Sequence, residues 1–176
     1  MFAKSTYTRP LIPSQFAPFI YSCRKCPKPC EKTIINESLA FKPYMMVVTE
    51  HILDSSEKDY LKKILSSIHL DFNSQSDVYL TTLVKCNGLE GDKDAQINCF
   101  SNLKEEIKLV SPFSILCFGK CFDEVFTFFG YNTDVFERSI PFIISPLPPL
   151  VLKDSIEERK KLWDKLLTLK SYFLTL

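Results

Sequence analysis

Four times along this chain of 176 residues a short apolar run is followed by an amphipathic stretch, and that alternation restricts the fold more than any other feature. Tyr44–Thr49 (YMMVVT), Val78–Val84 (VYLTTLV), Phe113–Phe118 (FSILCF) and Ile140–Ile144 are rich in strand formers and read as buried strands. Between and after them the apolar residues take helical spacing. Tyr60, Leu61, Ile64, Leu65 and Ile68 follow Asp54 and Glu57, a capping box that starts a helix. Ile97, Phe100, Leu103, Ile107 and Val110 line a second helix over Lys93–Val110, and Lys120–Phe129 forms a short third one stopped at Gly130. The last helix begins near Asp154, with Ser155 and Glu158 as a second capping box and Leu162, Trp163, Leu166 and Leu167 on its buried face. Alternating strand and helix predict a three-layer α/β/α fold around a central four-stranded parallel sheet, as one domain over residues 1–176. Residues 1–42 carry Pro10, Pro13, Pro18, Pro27 and Pro29, and Pro43 follows them. They are expected to pack across the domain as an irregular segment.

A parallel sheet of this kind binds ligands beyond the carboxyl ends of its strands, so the loops starting near Glu50, Lys85, Gly119 and Ser145 matter most. Nucleotide chemistry of the familiar kinds is excluded. The glycines are Gly88, Gly91, Gly119 and Gly130, and they form neither a GxGxxG fingerprint nor a Walker loop. The formal charge of +1 gives no whole-molecule argument for a polyanionic partner. Charge is unevenly placed, however: Lys4, Arg9, Arg24, Lys25, Lys28 and Lys32 face only Glu31 in the first 32 residues. Such a lobe is either a phosphate-contacting surface or a solvated segment. With no apolar run of spanning length and no secretory leader pattern, a cytoplasmic location and no membrane partner are expected.

Seven cysteines, at 23, 26, 30, 86, 99, 117 and 121, argue against a disulfide framework. Cys23 and Cys26 form a CxxC, whose spacing brings two sulfurs to one metal. Cys86 follows the second strand and Cys99 lies in the next helix. Their separation is too wide for a zinc ribbon, whereas an iron–sulfur cubane accepts scattered thiolates. Buried, unligated cysteines are the alternative. Cys117 and Cys121 read as core residues, and Cys30 as either a spare ligand or a bystander.

Cys23-Arg24-Lys25-Cys26, the strand-end motif Thr81-Thr82-Leu83-Val84-Lys85-Cys86, Cys99 in the helix after it, Gly119 closing the third strand, Ser145-Pro146 after the fourth and Trp163 in the last helix occur in this order. Together they resemble the iron–sulfur uracil-DNA glycosylases of the thermophile and bacterial type. The resemblance spans nearly the whole chain, and Lys85-Cys86 with the four-cysteine spacing is its most specific part. It implies a [4Fe–4S] cluster on Cys23, Cys26, Cys86 and Cys99, with zinc as the alternative metal, and a role near DNA. On that reading Arg24, Lys25, Lys28 and Lys85 would contact phosphate, on single-stranded or duplex DNA without sequence preference.

The departures bear on activity. The family's water-activating Gly-Glu-Ala-Pro-Gly motif is replaced by Val48-Thr49-Glu50-His51-Ile52-Leu53, which keeps only Glu50. The loop that carries the uracil-stacking aromatic is missing. The edge-reading Asn is Thr82, which lacks the paired donor and acceptor of an amide. The anion-stabilising His is Ser145, which supplies no positive charge. Glu50 is then a residual catalytic carboxylate or a solvent-facing strand-end charge, and His51 a substitute histidine or a plain loop residue. Base excision needs a closed pocket around an extruded base, so the expected reading is a catalytically degenerate, iron–sulfur DNA-binding protein of repair or replication, nucleoid-associated. An active glycosylase with an altered pocket and a protein-interaction module without nucleic acid are the competing readings.

Overall fold

In the computed structural model, residues 12–26, 30–35, 42–128 and 140–173 are described. The elements run α1 (Pro13–Tyr21), β1 (Met45–Thr49), α2 (Ser55–Ser67), β2 (Val78–Thr82), α3 (Lys93–Val110), β3 (Ile115–Phe118), α4 (Cys121–Phe128), β4 (Phe142–Ser145), α5 (Pro149–Asp154) and α6 (Ile156–Phe173). The four strands form one parallel sheet in the order β2-β1-β3-β4. The three-layer α/β/α architecture is as the alternation of strand and helix predicts.

β1, β2 and β3 are buried on both faces, which is why they read as unbroken apolar runs. Met46, Val48, Tyr79, Ile115 and Cys117 project to one side, where they meet Phe100, Leu103 and Ile107 of α3 and Phe122 of α4. Met45, Val47, Val78, Leu116 and Phe118 project to the other, against Leu61 and Leu65 of α2, Leu152 of α5, and Leu162, Leu166 and Leu169 of α6. Two cores thus sandwich the sheet. No helix among the described residues is long and apolar enough to cross a membrane.

Local signals set most boundaries. Asp54 accepts the Glu57 backbone N–H at 2.8 Å, and the Glu57 carboxylate accepts the Asp54 N–H at 3.1 Å, completing the capping box of α2. Asp92 caps α3 by accepting the Ala95 N–H at 3.0 Å. Ser111 ends that helix in the left-handed region (φ 50), just before Pro112. The Ser155 hydroxyl accepts the Glu158 N–H at 3.4 Å at the start of α6.

Four expectations need correction. The proline-rich start contains a helix, α1, because Pro13 occupies its first position, where a missing N–H costs nothing. Phe16 and Ile20 are buried and α1 packs on α3, which holds the helix despite Pro18 inside it. Pro149, the last residue of the loop expected after the fourth strand (Ser145–Pro149), likewise starts a helix, α5. β2 stops at Thr82, two residues early, because the chain turns to make side-chain bonds described below. On α6 the buried stripe is Leu162, Leu166 and Leu169, whereas Trp163 and Leu167 stand 39% and 42% exposed. Gly130, the expected stop of α4, lies outside the described residues.

A buried ionic network ties β2 to α3. Lys85, 3% exposed, reaches back to Glu106, 1% exposed, with its Nζ 2.7 Å from the carboxylate. The same ammonium donates to the Thr82 carbonyl at 2.7 Å and to the Thr81 hydroxyl. Glu106 also accepts from the Tyr79 hydroxyl and from the Thr81 hydroxyl, each at 2.9 Å. Removing one partner of such a pair leaves an uncompensated buried charge, which costs about 3–5 kcal/mol. Lys85→Met is therefore expected to lower the unfolding free energy measured by urea denaturation by that much, and Lys85→Met/Glu106→Leu to recover most of the loss. Equal losses in the single and the double variant would show that the charges do not matter.

Candidate metal centre and strand-end pocket

The network just described fixes where β2 hands over to Cys86. A short antiparallel bridge then pairs Cys86 with Lys32, flanked by hydrogen bonds from Thr33 N–H to Lys85 C=O and from Asn87 N–H to Glu31 C=O, both 2.9 Å. The N-terminal segment is thereby stitched to the end of β2. Lys32 Nζ lies 3.0 Å from Cys30 Sγ and 3.0 Å from Cys86 Sγ. Burial alone would raise the Cys30 thiol, but hydrogen bonds from Cys86 and Lys32 and the lysine charge outweigh it and lower its pKa. Cys86 is pushed up to about 12, first by burial and then by donating to Cys30, against the pull of Lys32. Lys32 itself is raised: the sulfur partners outweigh its burial.

The other sulfurs gather around α3. Cys99 is buried on that helix, and Cys26 packs against the same core cluster as Cys86 and Cys99. Burial raises the Cys99 thiol, a hydrogen bond from the Lys85 backbone N–H opposes it, and the nearby Cys26 and Cys23 raise it further. Cys23 Sγ accepts from Asn102 Nδ2 at 3.7 Å, and the Asn102 Oδ1 accepts from Lys25 Nζ at 2.8 Å. The CxxC loop is thus held on α3 one turn beyond Cys99.

Cys23, Cys26, Cys86 and Cys99 therefore come from three segments to one region of the molecule, with Cys30 beside Cys86. A thiolate-only donor set suits an iron–sulfur cluster or zinc. The hydrogen bonds to Cys23, Cys86 and Cys99 are of the type that tunes cluster sulfurs. Among the described residues, no three Cys, His, Asp or Glu side chains already converge as metal ligands. Cys117 and Cys121 are buried, as expected for core residues; burial raises both thiols, and in Cys121 a bond to Glu50 adds to it.

The crevice at the ends of β1 and β3 is where the sheet order reverses, the usual ligand position in such folds. Here Glu50 turns into it rather than out to solvent. Its Oε1 accepts the backbone N–H of Cys121 at 2.7 Å, at the first residue of α4. Its side chain lies against Gly119, where a Cβ would overlap it, and Gly119 has φ 141. His51 Nε2 sits 3.0 Å and 3.1 Å from the two carboxylate oxygens of Glu57, and so is tied to the first turn of α2. Thr82 and Ser145 end β2 and β4 and are buried. The Thr82 hydroxyl donates to the Val84 carbonyl at 2.9 Å, and the Ser145 hydroxyl to the Leu147 carbonyl at 3.1 Å. Both hydroxyls are thus turned onto their own backbone.

The expected phosphate contacts divide. Arg24 and Lys25 are exposed, though Arg24 also donates to the Cys23 carbonyl at 3.0 Å and Lys25 lies 5.7 Å from the Phe19 ring centre. Lys28 lies outside the described residues. Lys85 must be removed from the set, because its ammonium is buried against Glu106 and does not reach the surface. Asn102 and Glu106 were not singled out in the sequence, and Lys32 was read only as part of the basic N-terminal lobe, not as a partner of cysteines. Asn102 and Glu106 had a signal: polar residues on the apolar stripe of α3 are rarely buried without a partner. Lys32 had none, because its partners are remote in sequence.

No protein-family model and no curated protein sequence matches this chain.

Two outcomes follow from this geometry. In metal-free protein, Cys30 is expected to alkylate with iodoacetamide several-fold faster near neutral pH than in Lys32→Met, whose rate profile should move to higher pH; identical profiles would remove Lys32 from the site. Gly119→Ala is expected to cost about 1–3 kcal/mol in unfolding, the scale of backbone strain. Glu50→Ala in the same chain should restore part of it by clearing the overlap.

Proposed function

We propose that this chain is an iron–sulfur protein with a uracil-DNA glycosylase-like fold that has lost base excision and binds DNA in repair or replication, on the nucleoid. The observation that carries the reading is the gathering of Cys23, Cys26, Cys86 and Cys99 from three segments, with N–H donors set against Cys23, Cys86 and Cys99. These four thiolates would hold a [4Fe–4S] cluster. When bound, it would cross-link the N-terminal segment to β2 and α3. The order of these cysteines along the chain, with Lys85 before Cys86, is the pattern of the iron–sulfur uracil-DNA glycosylases.

Loss of excision is supported by the strand ends. Glycosylases need polar groups free to read an extruded base and to stabilise the leaving anion. Glu50 caps α4, and Thr82 and Ser145 satisfy their own backbone. None of the three is left aimed at a ligand. Losing one preorganised donor lowers rate by roughly a hundred- to a thousand-fold, so three together leave little activity. DNA contact is assigned to the exposed face that carries Arg24 and Lys25, through phosphate and without sequence preference.

Protein purified without oxygen is expected to be brown and to contain iron and acid-labile sulfide in equal amounts. Cys86→Ser and Cys99→Ser should lose both, and Cys30→Ser should keep them. Stoichiometric zinc with no sulfide would sink the cluster. Loaded protein should bind DNA less tightly as salt rises and should leave uracil-containing DNA uncut after alkali. Abasic sites that vanish in Glu50→Gln would overturn the degenerate reading.

A further inference from the structure

The second surface feature lies on the opposite side of the sheet from the cysteines. α2 and α6 leave a groove of about 480 Å³ between them, in the volume range of specific binding pockets. Leu152, Leu162 and Leu166 form its floor and are buried, and Tyr60, Ile64 and Trp163 form its walls. Ile156 stands at its mouth, 75% exposed. A β-branched aliphatic that open to water, beside a half-exposed indole, is what an uncovered interface presents.

Charge selects the occupant. The ionic side chains that line the groove are Lys63, Arg159 and Lys160, with no acidic one among them. On the same helices Lys62 pairs with Asp59, and Lys161 with Glu157 and Glu158. No ion pair among the described residues engages Lys63, Arg159 or Lys160. An apolar trough between two helices with a cationic rim matches an amphipathic helix whose polar face is acidic. On α6 the lining runs from Ile156 to Leu166, and at about 1.5 Å per residue that length would seat roughly three turns of such a helix. Nucleic acid fits less well. The floor is aliphatic, where a base would expose unsatisfied edges.

We propose that the α2–α6 groove docks a short acidic amphipathic helix from a partner protein, with its apolar residues on the leucine floor and its carboxylates on Lys63, Arg159 and Lys160. This surface is independent of the cysteine site and of whatever metal that site holds.

Trp163 is the only tryptophan in the chain and reports on the groove directly. The full-length protein would be titrated with a synthetic peptide of about 12 residues, with Leu at i, i+3, i+4 and i+7 and Glu elsewhere, while tryptophan emission is followed. A second peptide would carry Lys in place of Glu. Saturable blue-shifted emission is expected with the acidic peptide alone, weakening as salt rises. Lys63→Glu/Arg159→Glu/Lys160→Glu should weaken binding at least ten-fold, and Ile156→Ser should weaken it while keeping its salt dependence. All four side chains are on the surface, and an unchanged unfolding midpoint would verify that the variants fold. No saturable change, equal binding of the two peptides, or undiminished binding by the charge-reversed variant would each overturn the proposal. So would an oligothymidylate that produces the same charge-sensitive shift, which would assign the groove to nucleic acid.

Discussion

A lysine ammonium placed inside a protein loses several kcal/mol of hydration, and it stays charged only where a counter-ion and further acceptors replace the lost water. Lys85 meets that condition through Glu106, the Thr82 carbonyl and the Thr81 hydroxyl. Much of the cysteine region depends on this one arrangement. It bends the chain out of β2 after Thr82 and sets the position of Cys86. It holds α3 in register against β2 through Tyr79 and Thr81, and it brings the Lys85 backbone N–H to Cys99. Asn102, one helical turn from Glu106, then fastens the CxxC loop to the same helix. Cysteines far apart in the chain are thus tied to neighbouring segments by polar contacts that are satisfied inside the protein.

The strand ends tell a different story from the cysteine region. In a parallel sheet the crevice at the reversal of strand order normally stays open to a ligand. Here a side chain of the protein enters it. Glu50 crosses Gly119 and stabilises the positive end of α4, an arrangement that only glycine at 119 permits. A carboxylate in that place does useful structural work without any substrate. The protein therefore combines a cysteine region held by buried polar contacts with strand ends that serve the fold. Among the described residues, the cation-rimmed groove on the far face is left uncovered.

The regular elements were readable because their signals are local. Lys93–Val110 has the predicted bounds, with an aspartate cap before it and a left-handed stop after it. The capping box at Asp54 and Glu57 forms as written. The misreadings have a common cause: prolines at Pro13 and Pro149 start helices as readily as they break them, and only packing decides which. Trp163 was assigned to the core because a large aromatic at helical spacing usually belongs there, but the stripe on α6 is carried by Leu169 instead. Lys85 illustrates the limit most clearly. In a sequence, a lysine beside a cysteine motif looks like a phosphate contact, and nothing nearby signals the glutamate 21 residues later that buries it.

Taken alone, the sequence determined the strand–helix alternation, the parallel sheet, most element boundaries and the set of cysteines, because period, capping and turn chemistry act over a few residues. Only the tertiary structure decided that Glu50 caps a helix, that Thr82 and Ser145 turn inward, that Lys32 bridges Cys30 and Cys86, and that α2 and α6 part to leave a groove. Those outcomes depend on which side chains meet across elements distant in the chain. Burial then fixes the result, since a polar group removed from water must find a partner wherever the fold supplies one.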